Sequence, residues 1–188
     1  MSRKYPAESY TKDECLAIIE ACGNTWVGKR NKALIAVLWR AGLRLDEALS
    51  LRKTDIDFVN QTIRVLHGKG DKARTVGTDK KALDGVSDWL RIRKLGPEVP
   101  LFCTRSGSKL KQDYVRSLLP RLAKKAGVDK RVHAHGFRHT FAVELARERV
   151  PTSHIQRLLG HTSLATTSIY LASLSPEEAL DAVRGREW

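Results

Sequence analysis

The sequence predicts an α+β domain, mostly helical, with one small antiparallel β-hairpin or sheet. Three observations predict it. Apolar residues recur at helical spacing on both sides of one short segment of different texture. That segment, Ile63-Arg64-Val65-Leu66, alternates like a strand and is followed by a glycine-rich turn. The 188 residues, 41% hydrophobic, suit one domain with a real core, and no repeat, low-complexity tract or linker divides residues 1–188.

The elements follow in order. Thr11 and Glu14 form a capping box for a first helix, whose apolar face is Leu16, Ala17 and Ile19 and which stops at Gly23. A second helix is predicted from Arg30 to Ala41 and a third from Arg44 to Leu51. After Ile63–Leu66, the turn His67-Gly68-Lys69-Gly70-Asp71-Lys72 leads to a returning strand, Arg74-Thr75-Val76. Helical periodicity resumes from Lys80 to Leu95, carrying Leu83, Val86, Trp89 and Leu90, and ends before Gly96-Pro97. Further helices are predicted at Gln112–Ala126, His135–Arg149, Ser153–Leu159 and Ser163–Leu171. Ser175-Pro176-Glu177-Glu178 opens a last helix, with a serine cap and proline in the first turn.

Charge narrows the partner. The net charge is +13, and residues 61–140 alone carry +12, while residues 1–60 carry +2 and residues 141–188 carry −1. Basic residues cross several elements instead of lying opposite a bulky apolar helix face, so a nucleic-acid backbone fits better than a membrane surface. No run of 18 apolar residues exists, and Met1-Ser2-Arg3-Lys4-Tyr5-Pro6 has no apolar core of a signal peptide. Cys15, Cys22 and Cys103 are odd in number and form no CxxC, so free thiols in a reducing, cytoplasmic compartment are expected.

A basic protein that breaks a phosphodiester needs a nucleophile, charge stabilisation and an acid for the leaving oxygen. Metal-dependent nucleases cluster carboxylates. Here Asp46, Glu47, Asp55 and Asp57 come closest, and they look like helix-surface and turn residues, so no metal and no cofactor is expected. A metal-free set of Arg, Lys, His and Tyr has candidates in separate places: Arg44 after Gly42, Lys69 between two glycines, His135 and Arg138 one turn apart, His161 after a helix stop, and Tyr170. Each also has an ordinary role open to it. Arg44 can pair with Glu47, Lys69 can be solvated, His135 can cap its helix, His161 can satisfy a helix end, and Tyr170 can be half-buried. Spacing alone does not bring five elements together.

The ordered set resembles the tyrosine recombinase (phage integrase) family, specifically its catalytic domain, from about Thr11 to the C-terminal helix. GLRLDEALSLRKTDID (42–57) is similar to the family's first arginine box, and HGKGDKAR (67–74) to its β-hairpin lysine segment. HAHGFRHTFAVELA (133–146) is similar to the His-x-x-Arg box. IQRLLGHTSLATTSIY (155–170) resembles the second histidine followed by the nucleophilic tyrosine.

The resemblance implies a site-specific DNA recombinase that works without metal or ATP. Tyr170 would attack the scissile phosphate to give a 3′-phosphotyrosine and a 5′-hydroxyl. Arg44 and Arg138 would grip the non-bridging oxygens, as planar guanidiniums do. His161 would add a hydrogen bond, Lys69 would protonate the leaving oxygen, and His135 would take the tyrosine proton or help orient that group. Glu47 and His139 would support the site, and Thr166 and Thr167 would position the segment before Tyr170. Double-stranded DNA is the expected partner, bound by a homotetramer, with a monomer or weak oligomer off DNA. The hairpin and the basic helix supply the expected DNA contacts: Lys72, Arg74, Lys109, Lys111, Arg116, Arg121 and Lys124.

Two further expectations concern organisation. The N-terminal helical clamp of many family members is expected to be absent, whether because the protein is minimal, a fragment, or completed by a partner. The helix in residues 175–188 would dock on a neighbouring protomer or fold back on its own domain. The rival functions are a DNA-binding regulator derived from such a domain and a type IB topoisomerase-like relaxing enzyme.

Overall fold

The computed structural model describes residues 9–66 and 73–160. The first helix, α1 (Lys12–Ala21), starts from the capping box read in the sequence. The Glu14 N–H donates to Thr11 Oγ1 at 3.1 Å and the Thr11 N–H donates to Glu14 Oε2 at 2.7 Å. The second helix, α2 (Trp26–Arg40), begins well before Arg30. Thr25 is its cap, accepting from the Gly28 N–H at 3.1 Å. Gly28 permits this start, because a Cβ there would strike the carbonyls of Cys22 and Gly23.

Helix α2 is the centre of the molecule. Ala33, Leu34, Ile35, Val37 and Leu38 are all fully buried, because α2 packs between α4 (Lys80–Arg93) and α6 (Ala134–Arg147). Two ion pairs fasten the three helices. Arg40 pairs with Asp79, the N-cap of α4, and with Glu144 of α6 at 2.7 Å. Trp89 is fully buried in α4 against Trp26, edge to face at 4.6 Å, and donates to the Leu101 carbonyl at 2.7 Å. Helix α4 ends at Arg93, short of the predicted Leu95, because Lys94 takes a left-handed φ of 50°. The buried Arg93 then holds the following loop through the carbonyls of Gly96 and Pro100, each at 2.7 Å.

The predicted hairpin is a three-stranded antiparallel sheet: β1 (Ile56–Asp57), β2 (Thr62–Val65) and β3 (Arg74–Gly77), in the order β1-β2-β3. Ile63 is opposite both Ile56 and Val76. Ile63, Val65 and Val76 face the core while Arg64 and Thr75 face solvent, the period-two pattern of a half-buried sheet. The two-residue β1 is too short to show alternation in the sequence.

The remaining elements are α3 (Leu45–Ser50), a 3₁₀ turn (Lys53–Asp55), α5 (Gln112–Lys125) and α7 (Thr152–Leu159). A second, smaller apolar cluster of Phe141, Ala142, Ile155 and Leu159 joins α6 to α7. Cys15, Cys22 and Cys103 are free thiols. Among the described residues no helix is long and apolar enough to cross a membrane. Lys69, Lys72, His161, Tyr170, Thr166, Thr167, the helix predicted over Ser163–Leu171 and the segment 175–188 lie outside the described residues.

Candidate active site and nucleic-acid interface

The site is built around one carboxylate. Gly42 turns the chain with a φ of 60°, where a Cβ would collide with the Phe141 ring. That turn delivers Arg44 to the N-cap of α3, and Glu47 follows at the third helical position. Glu47 is buried, and its Oε2 accepts from the Arg44 backbone N–H at 2.8 Å, the returning half of a capping box. Its Oε1 accepts from Arg44 Nη1 at 2.9 Å. Arg74 of β3 grips both oxygens, Nη1 to Oε1 at 2.9 Å and Nη2 to Oε2 at 2.8 Å. Arg138 Nη1 stands 3.9 Å from Oε2. Burial raises the Glu47 pKa, but the hydrogen bonds from Arg74 and Arg44 outweigh it and hold the carboxyl below its ordinary value.

The same three arginines close the end of α7. Arg74 Nε donates to the Leu158 carbonyl at 3.1 Å, Arg138 Nη2 to the Leu159 carbonyl, and Arg44 Nη2 to the Gly160 carbonyl at 3.3 Å. Carbonyls at a helix C-terminus have no intrahelical donor, and that end of the helix carries partial negative charge. Three guanidiniums on three successive carbonyls answer both. Gly160 ends the helix with a φ of 63°, as the glycine stop in the sequence predicts.

Helix α6 brings the third component. Its cap is His133 rather than His135: His133 Nδ1 accepts from the Gly136 N–H at 3.0 Å. His135 is left exposed, and Arg138, one turn on, is buried and donates to the Gly42 carbonyl at 2.7 Å. Tyr10, outside every sequence motif, fixes the start of α6. Its hydroxyl meets the His133 N–H at 3.0 Å and its N–H donates to Thr140 Oγ1 at 2.8 Å. Gly136 makes room for it, since a Cβ there would strike the Tyr10 hydroxyl.

The imidazoles lie among cations. His133 and His135 stack with ring centroids 6.4 Å apart. Loss of hydration, then the charges of Arg138, His133 and Arg44, lower the His135 pKa. His139 is buried and pushed down to about 4, first by burial and then by the two neighbouring histidines. Both imidazoles are therefore held neutral at pH 7. Arg44, His135 and Arg138 line one cleft of about 260 Å³ together with Gln112, Arg116 and His133.

The residues expected to touch DNA are placed unequally. Lys109, Lys111, Arg116, Arg121 and Lys124 are exposed, and Arg116 reaches the cleft beside Arg44. Lys109 Nζ donates to Ser50 Oγ at 2.8 Å. Arg74, expected among the DNA contacts, has a side chain only 13% exposed, and its fork binds Glu47. A larger cleft of about 650 Å³, between α3 and the sheet, adds Arg52 and Arg64 beside Lys109; the motifs did not single these two out. The four acids considered for metal do not converge. Glu47 lies among arginines, Asp55 pairs with Arg64 at 3.5 Å, Asp57 caps the turn at Val59 and Asn60, and Asp46 is exposed near Lys109.

Fold and site together define a basic helical domain in which two guanidiniums and an imidazole line one cleft. The chain belongs to the phage integrase family, which it matches over residues 8–176. It is 37% identical over 183 residues to a tyrosine recombinase of Thermosipho africanus, covering 97% of this chain and 62% of that one. Among solved structures, XerA recombinase superposes with a TM-score of 0.84 at 28% identity, covering 100% of this chain and 68% of that one. XerH site-specific recombinase bound to palindromic difH substrate gives 0.79 at 30% identity, covering 95% and 53%. The chain spans about half the length of the curated relatives it matches, from 47% to 62%.

Proposed function

We propose that this chain is the catalytic portion of a site-specific DNA recombinase, cutting and rejoining duplex DNA through a covalent tyrosyl intermediate. The observation that carries the reading is the convergence of Arg44, Arg138 and His135, from distant motifs, on one cleft. Family membership and the DNA-bound relative support it.

In this reading the Tyr170 oxygen attacks the scissile phosphorus. A Tyr170 O–P bond forms and the bond from phosphorus to the 5′ oxygen breaks. His135 takes the tyrosine proton, for which its neutral form is suited. Lys69 gives a proton to the leaving 5′ oxygen. Arg44 and Arg138, joined by His161, carry the charge that develops on the non-bridging oxygens. Because the tyrosyl ester retains the phosphodiester's energy, a 5′-hydroxyl attacks it in the reverse sense and no nucleotide cofactor is consumed. Four protomers on two duplexes exchange the strands, and Lys109, Lys111, Arg116, Arg121 and Lys124 grip the backbone.

The test is covalent trapping. The protein is incubated with nicked duplexes from DNA flanking its gene, in the presence of EDTA, and run on a denaturing gel. A protein–DNA adduct that survives chelation is expected. DNA binding on a native gel without any adduct would sink the enzymatic reading and leave a DNA-binding regulator.

A further inference from the structure

We propose that Arg74 is a positioning residue for the phosphate-binding pair Arg44 and Arg138, acting through Glu47 and the end of α7. The inference rests on the proposed function, and goes beyond it to a residue outside the reacting set.

Arg74 ties three segments together. It sits on β3, which follows the Lys69 segment in the chain. Its fork binds both oxygens of Glu47, the carboxylate that also holds Arg44. Its Nε binds the Leu158 carbonyl, two residues before Gly160 and three before His161. Contact with Gly160 is close as well, since a Cβ there would come within 3.1 Å of Arg74 Cδ and Nε. Each of these neighbours leads directly to one proposed catalytic group.

Charge explains why an arginine is needed here. Glu47 is one buried anion facing three guanidiniums, so its oxygens compete with a phosphate for their N–H groups. Arg74 satisfies both oxygens at once, one N–H to each. Arg44 then gives Glu47 only one side-chain N–H, and Arg138 stays at 3.9 Å. Without the Arg74 fork, the unpaired carboxylate would shift Arg44 and Arg138 by about 1 Å, leaving both in ionic contact with a bound phosphate but out of line with the charge that develops on it. A lysine would supply the charge but not the fork.

The experiment compares the wild type with Arg74→Ala and Arg74→Lys in three readouts: single-turnover adduct formation, DNA affinity against salt, and thermal melting. Arg74→Ala is expected to slow adduct formation about 10²-fold, the scale of a roughly 1 Å misplacement. DNA affinity and its salt slope should stay unchanged. Arg74→Lys is expected to recover the melting temperature but not the rate. If Arg74→Lys restores rate and melting together, the role is structural and the proposal is overturned. If the slope of log K against log salt loses about 0.9 in Arg74→Ala, the residue touches a phosphate and the proposal is also overturned. A wild type that binds DNA and forms no adduct overturns the proposed function itself; the salt slope then still decides whether Arg74 faces inward or toward DNA.

Discussion

Replacing Glu47 by Gln probes the framework of the site more sharply than replacing any of the arginines. The carboxylate accepts from Arg44 N, Arg44 Nη1, Arg74 Nη1 and Arg74 Nη2 at 2.8–2.9 Å, with Arg138 at 3.9 Å. A glutamine offers one carbonyl oxygen and turns an NH₂ toward guanidinium donors, leaving buried cations uncompensated. Removing one partner of a buried pair costs about 3–5 kcal/mol. With a urea m-value of about 2 kcal/mol/M, the unfolding midpoint should fall by about 1.5–2.5 M at pH 7. The gap must also depend on pH in one sense. The Glu47 pKa is lower in the folded state, so its contribution is fully present above the ordinary value of 4.5 and is lost as pH falls through the folded pKa. Urea titrations at pH 7, 5 and 3.5 read this directly. A midpoint change below about 0.5 M at pH 7, or a gap that narrows well above pH 5, would refute the idea that this carboxylate anchors the site.

Three more outcomes are expected. Gly42→Ala forces a side chain into a left-handed turn against Phe141 and should lose at least about 1–2 kcal/mol by urea denaturation, whereas Gly77→Ala, in open space, should stay within about 0.5 kcal/mol. The rate of adduct formation should hold steady near pH 7 and decline only as the pH falls below 6.5, because His135 titrates below that ordinary value; an acid limb centred above pH 7 would remove His135 as the proton acceptor. Arg116→Ala and Lys124→Ala, on the exposed side of α5, should each reduce the salt slope of DNA binding by about 0.9 if each grips one phosphate, and an unchanged slope would take that residue off the interface.

The helices were legible where capping chemistry and apolar period agreed. Thr11 with Glu14 marks α1, and Gly160 marks the end of α7, because both signals are local. The start of α2 was hidden, since Gly28 looks like a breaker and serves instead to pass close to another backbone. The strand β1 is too brief to alternate, and its pairing with β2 is a tertiary fact. At the site, the identity of Arg44, His135 and Arg138 was readable only as an ordered resemblance, and their shared cleft required the fold. The partner of Arg74 is illegible for the opposite reason. A basic residue in a basic hairpin gives no local sign that a buried carboxylate from another helix awaits it. Tyr10 carried no motif, because its role is to fit the space that Gly136 leaves.

The central claim is a covalent bond between this chain and DNA at one particular oxygen. The most direct measurement is proteolysis of the trapped adduct followed by mass spectrometry of the peptide that retains a nucleotide, run beside Tyr170→Phe. The account predicts the nucleotide on Tyr170 and no adduct from the phenylalanine variant. An adduct on another residue, or one that persists in Tyr170→Phe, would contradict it.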